Sequence, residues 1–192
     1  MSRSFSQDPR RLMGVRGAHP HYNLAEYNIF FPEVASYYHA TVIRNPWDRL
    51  VSEYHWMTKL CPNKKSASPF KIKAHEEFSK ISFDTFCELY WKVIDINDPR
   101  HRFSQSWYVP SLGDFDYVGR FENFPEILQK VEELTGKKSS EELHCHNNQR
   151  KNRKPYWEYY SEKTLSIIEK EWGDDIASLG YTFGQEDGKG TY

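Results

Sequence analysis

The stretch His39-Ala-Thr-Val-Ile-Arg-Asn-Pro-Trp-Asp-Arg-Leu-Val-Ser-Glu-Tyr-His55 constrains this chain more than any other, because it carries two hydrophobic periods back to back. His39 to Ile43 is a short, apolar, β-branched run of the kind that forms a buried strand. Arg44-Asn-Pro-Trp-Asp48 then switches the chain to helix. Asn45 can cap, Pro46 suits the first helical position, and Asp48 sits favourably in the first turn. Trp47, Leu50, Val51 and Tyr54 follow at i, i+3, i+4 and i+7, one apolar stripe expected to face the core. At about 100° per residue, Asn45, Arg49 and Ser52 fall opposite that stripe, so they are expected to face solvent or a ligand.

The rest of the chain alternates in the same way. Phe115-Asp-Tyr-Val-Gly119 has the pattern of a short strand. Ser82 can cap a helix bearing Phe83, Phe86, Leu89, Tyr90 and Val93. Asn123 can cap another bearing Phe124, Ile127, Leu128, Val131 and Leu134, which Gly136 ends, and Ser161 a third bearing Leu165, Ile168, Trp172 and Ile176, which Gly180 ends. Strands alternating with helices predict an α/β, three-layer domain with a mostly parallel sheet. A length of 192 residues suits one such domain. Residues 1–18 read as a flexible lead-in, 19–183 as the domain and 184–192 as a flexible tail. Between Cys61 and Lys80, Lys, Pro and Ser are dense, which predicts an exposed loop or insertion.

Charge narrows the functional classes. Lys and Arg (26) nearly cancel Asp and Glu (27), so no overall positive field points to DNA or RNA, and any anion site must be local. Three cysteines without a CxxC pair argue against a disulfide framework or a four-cysteine zinc site. No run approaches the roughly 18 apolar residues of a membrane span, and Met1 to Met13 lacks the apolar stretch of a signal peptide, so the chain reads as soluble.

Arg44 is the first candidate for chemistry. It ends the expected strand at a helix N-terminus, where N–H groups and the helix dipole favour an anion, and its guanidinium can grip phosphate oxygens bidentately. An arginine paired with a carboxylate and a serine on a solvated face is an equally good account on physical grounds alone.

The segment His39 to Tyr54 resembles the 3′-phosphate-binding segment of sulfotransferases that use 3′-phosphoadenosine 5′-phosphosulfate (PAPS), specifically the Golgi carbohydrate enzymes and their bacterial relatives. Similar segments follow in order at Gln105-Ser-Trp-Tyr108, Asp116-Tyr-Val-Gly-Arg-Phe-Glu122, His146-Asn-Asn148, Glu158-Tyr-Tyr160 and Leu179-Gly-Tyr181, and the likeness runs from about His19 to Phe183. The resemblance implies that Arg44 and Ser52, with Asn45 beside them, hold the 3′-phosphate of the donor. It also implies sulfuryl transfer to a hydroxyl, or an amine, of a carbohydrate-like acceptor. That reaction needs a base, positive charge and positioning, but no metal.

His21, in a stretch similar to the family's His-containing segment, is the candidate base because histidine titrates near neutrality, and His146 is the second. A histidine bonded in the core or exposed is the alternative for each. Arg150 and Arg153 belong to a dense basic run beside His146-Asn148 that can contact the donor's phosphate or an acidic glycan. A metal site built from His144, His146 and a cysteine such as Cys61 or Cys87 is the less favoured reading.

One departure from the family is plain. Its first strand and Gly-rich loop, of the type Pro-Lys-Thr-Gly-Gly-Thr, hold the 5′-phosphosulfate, and no such loop is visible here. The expected fold is therefore a P-loop-like sulfotransferase domain missing its first strand and loop. The rival function is a non-catalytic module of the same fold that binds a nucleotide or a glycan. A nucleotide kinase is disfavoured by the absence of Gly-x-x-x-x-Gly-Lys-Ser/Thr. The compartment is left open: cytoplasm for a bacterial protein, Golgi lumen for a eukaryotic one.

Overall fold

The computed structural model describes residues 22–59, 76, 79–92, 103–138 and 154–184. Helix α1, Leu24–Phe30, opens on a capping box: Asn23 Oδ1 accepts the Glu26 N–H and Glu26 Oε2 accepts the Asn23 N–H, both at 2.8 Å. Two otherwise orphaned donors are satisfied reciprocally. A 3-10 turn at Pro32–Ser36 leads into strand β1, Ala40–Ile43. The strand starts one residue later than expected because His39 faces a carboxylate: its N–H donates to Asp116 Oδ2 at 2.7 Å, while its carbonyl accepts the N–H groups of Asp116 and Tyr117.

β1 runs directly into helix α2, Pro46–Lys59. Helix α3, Phe83–Tyr90, starts at Ser82, whose side chain accepts the Thr85 N–H, and the short α4 spans Gln105–Tyr108. Strand β2, Tyr117–Arg120, then pairs with β1 in parallel, Ala40 opposite Tyr117 and Ile43 opposite Arg120. A parallel pair needs a crossover, and α2 to α4 supply it. The alternation, the α/β class and the parallel pairing follow the sequence pattern, and the described residues contribute two strands. β1 is not the buried strand expected: Ala40 and Val42 are exposed, and only Ile43, next to α2, is buried.

A 3-10 turn, Phe121–Asn123, connects β2 to α5, Phe124–Thr135. Asn123 makes no side-chain capping bond there, contrary to expectation: it closes the 3-10 turn, and Pro125 in the first turn of α5 has no N–H to satisfy. Gly136 ends the helix at φ 64°, a left-handed conformation that favours glycine. Ile127 and Leu128 of α5 are buried, while Val131 and Leu134 are exposed. After a 3-10 turn at Tyr156–Tyr159, α6, Glu162–Ser178, opens on a capping box between Ser161 and Thr164. Trp172 departs from helical geometry inside it (φ −125°, ψ 29°), and Gly180 terminates the segment at φ 66°.

The core joins α2, α3 and α6. Ile43, Trp47, Leu50 and Val51 are at most 2% exposed and pack with Phe86, Ile168, Trp172 and Leu179. Tyr54 completes the stripe half-buried, with its hydroxyl donating to the Ile81 carbonyl at 3.1 Å. Arg49 departs from the expectation. Its guanidinium lies 4.4 Å from the Trp172 ring centroid and donates to the Phe103 carbonyl at 2.9 Å, 3.7 Å from Asp175 Oδ2. At Arg49 the polar side of α2 is thus a second packing face, against α6 and the approach to α4.

Candidate functional site

The β1–α2 junction is closed by side chains from distant parts of the chain. The Arg44 N–H donates to Gln105 Oε1 at 2.8 Å, and Gln105 Nε2 returns a bond of 2.7 Å to the Arg44 carbonyl. One carboxamide so satisfies both backbone groups of the residue that leaves the sheet. The Asn45 N–H donates to Glu122 Oε1 at 2.6 Å, and Glu122 Oε2 accepts the Tyr181 hydroxyl at 2.9 Å.

Asn45 is fully buried, and its Oδ1 accepts the N–H groups of Trp47 and Asp48 at 3.0 and 3.1 Å. Its carbonyl accepts the Arg49 N–H. The side chain caps α2, as the sequence predicts, and does not face solvent. Together these bonds occupy the backbone amides of Arg44, Asn45, Trp47, Asp48 and Arg49. An anion at this helix end would therefore not meet free backbone amides, the basis on which the sequence places it there.

Two of the candidate ligands offer such side chains. The Arg44 guanidinium stacks 4.4 Å from the Phe121 ring centroid and donates to Asp48 Oδ2 through Nε at 2.8 Å and Nη2 at 2.5 Å. The arginine–carboxylate pairing that competed with the phosphate reading is thus present. Arg44 and Asp48 keep 19% and 18% side-chain exposure, so the pair is not sealed from solvent. Ser52 lies on the same flank as Asp48, one turn further along α2, half-buried and with no hydrogen-bond partner among the described residues. It sits roughly 10 Å from the helix start at 1.5 Å per residue. A ligand that bridged Arg44 and Ser52 would lie along the flank of α2 rather than over its end.

His55 continues this flank, with Nε2 2.8 Å from the Tyr159 hydroxyl. Lys154 sits over the Tyr159 ring, 4.3 Å from its centroid. His21, His146, Arg150 and Arg153 lie outside the described residues, as do Cys61, His144 and Cys145. Cys87, named for the metal alternative, is buried, and desolvation pushes its thiol up to about 12, away from the thiolate a metal needs. Among the described residues no group of His, Cys, Asp and Glu is placed to hold a metal ion.

Sequence reasoning did not assign roles to Gln105, Glu122, Asp175 and Tyr181, although three of them lie in segments that the resemblance marks. Asp175 is fully buried and accepts the N–H groups of Gln105 and Ser106 at 2.6 and 2.7 Å, capping α4 from α6. No local spacing announces such a cap, since 70 residues separate Asp175 from Gln105.

A parallel strand pair, with one strand entering a helix through an arginine-bearing turn at its C-terminal end, defines an α/β protein. The model of the Sulfotransferase family matches residues 15–182, and the chain belongs to that family. Membership makes sulfuryl transfer to an acceptor substrate its general chemistry. No curated protein and no solved structure matches the chain significantly. Among the described residues no helix is long and apolar enough to cross a membrane.

Proposed function

We propose that the chain transfers a sulfuryl group from PAPS to a hydroxyl, or an amine, of a carbohydrate-like acceptor. Arg44 and Ser52 hold the 3′-phosphate of the donor in this reading, and Arg150 and Arg153 add positive charge. His21 takes the acceptor proton, with His146 as the second candidate base. As the acceptor oxygen bonds to sulfur, the bond between sulfur and the bridging phosphate oxygen breaks, and adenosine 3′,5′-bisphosphate leaves. Positioning, proton removal and stabilisation of the leaving phosphate supply the rate.

The observation that carries the reading is the presentation of the Arg44 guanidinium on the α2 flank that also bears the Ser52 hydroxyl. The Asp48 pair does not exclude it, because Asp48 is engaged through Nε and Nη2 on a single carboxylate oxygen and a guanidinium has five donors. Calorimetry with adenosine 3′,5′-bisphosphate tests it. Arg44→Ala should weaken binding by about 1.5–3 kcal/mol, the range for a hydrogen bond to a charged group, and Ser52→Ala by less. Unchanged affinity in a folded Arg44→Ala variant removes the assignment.

The rival reading is a module that binds the nucleotide without turning it over. Radiolabelled sulfate transfer to a panel of glycan acceptors separates the two. Turnover supports the enzyme, and tight bisphosphate binding without turnover supports the module.

A further inference from the structure

We propose that Gln105 and Glu122 are positioning residues for the 3′-phosphate clamp, acting by holding the successive backbone amides of Arg44 and Asn45. The proposal rests on the reading of Arg44 as a phosphate ligand. Because the turn's amides are consumed within the protein, an anion is held by side chains, and the direction of the Arg44 side chain follows from how its backbone is fixed. Gln105 fixes it as a neighbouring strand would, accepting the Arg44 N–H and donating to the Arg44 carbonyl. Glu122 takes the next N–H, that of Asn45.

Both holders are themselves anchored to the C-terminal part of the described chain. The Asp175 carboxylate holds the backbone of Gln105 and Ser106, and the Tyr181 hydroxyl holds Glu122. Arg120 ties the same turn down, donating to the Leu179 carbonyl at 2.9 Å with its guanidinium 4.4 Å from the Tyr181 ring centroid. Segments 105–106, 120–122 and 175–181 thus converge on one dipeptide. A side chain that satisfies a backbone amide of a ligand-bearing residue sets the direction of that residue's side chain, as outer partners do for metal ligands.

A double-mutant cycle on adenosine 3′,5′-bisphosphate affinity tests the proposal, with melting curves to confirm folding. Gln105→Met keeps the side chain's bulk and removes both hydrogen bonds. It is expected to weaken binding about tenfold, the order that follows from losing hydrogen bonds at a buried junction. In an Arg44→Ala background the same change should have no further effect, because Gln105 acts through Arg44. Equal weakening in both backgrounds means a merely structural role and overturns the proposal, as does unchanged binding in Gln105→Met alone. If Arg44→Ala itself leaves affinity unchanged, the function assigned to Arg44 fails instead, so the two failures are distinct. Glu122→Gln keeps an acceptor for the Asn45 N–H and should retain affinity within about twofold, whereas Glu122→Met should lose it. Equal losses in these two variants would assign the effect to charge and overturn positioning. Should Gln105→Met not fold, the Glu122 pair decides alone.

Discussion

Asp175→Ala should be the most damaging single change near the site, and its size can be worked from the contacts. The carboxylate is fully buried, holds two backbone N–H groups at 2.6 and 2.7 Å, and stands 3.7 Å from the Arg49 guanidinium. Truncation leaves both amides without their acceptor, at about 1–3 kcal/mol for each group that water does not reach. It also removes the carboxylate 3.7 Å from the Arg49 guanidinium, and removing one partner of a buried pair costs about 3–5 kcal/mol. These terms overlap. Arg49 retains 16% exposure and part of its hydration, so the lower end applies and the expected loss is about 3 kcal/mol. For a chain of this size that lowers Tm by roughly 6–12 °C. Asp175→Asn keeps one carbonyl oxygen and should lose about half as much. Urea denaturation followed by circular dichroism measures the loss, and amide exchange at Gln105 and Ser106 should accelerate more than exchange within α3. A loss below about 1 kcal/mol for Asp175→Ala, beneath the cost of a single orphaned buried donor, would refute the reasoning.

Gly119→Ala should destabilise by about 1–3 kcal/mol, the cost of overpacking, because a Cβ there would lie 2.7 Å from Ile127 Cγ1 and 3.2 Å from Tyr117 Cε1. Thermal melting reads the loss, and Ile127→Ala should cost less in the Gly119→Ala background than in the wild type. Cys87 predicts a pH dependence. Its thiol is raised from 9.0 to about 12, mainly by desolvation, so the folded state favours the protonated form. The stability this gives is complete below about pH 9 and is lost as pH climbs toward 12, by up to about 1.4 kcal/mol per unit. Denaturation curves at pH 8 and pH 11 should therefore diverge less in Cys87→Ala, and peptide mapping after iodoacetamide treatment at pH 8 should find Cys87 unlabelled until the chain is unfolded.

The strand-turn-helix from Ala40 to Lys59 was legible because its signals are local: β-branched residues, a capping asparagine, a proline at the first helical position and a 3.6-residue stripe. Ser82, Ser161, Gly136 and Gly180 marked helix ends for the same reason. The wheel failed at Arg49. A helical period separates apolar from polar faces, but it does not say whether the polar face meets water or another element that brings a carboxylate and a carbonyl to meet it. The capping box of Asn23 and Glu26 was equally local, yet it lay in a stretch read for its histidine and not for helix.

At the site, the sequence by itself determined that an arginine stands where a strand becomes a helix and that a serine follows on the flank of that helix. Only the tertiary structure decided what surrounds them. Gln105 and Glu122 reach the junction across 61 and 77 residues, Asp175 and Tyr181 hold them across a further 70 and 59, and no periodicity records contacts of that range. Gln105 and Glu122 take the Arg44 and Asn45 amides, which a sequence reading leaves open to an anion. The physical reason is that a buried N–H must find a partner, and which partner it finds depends on how the layers close over it.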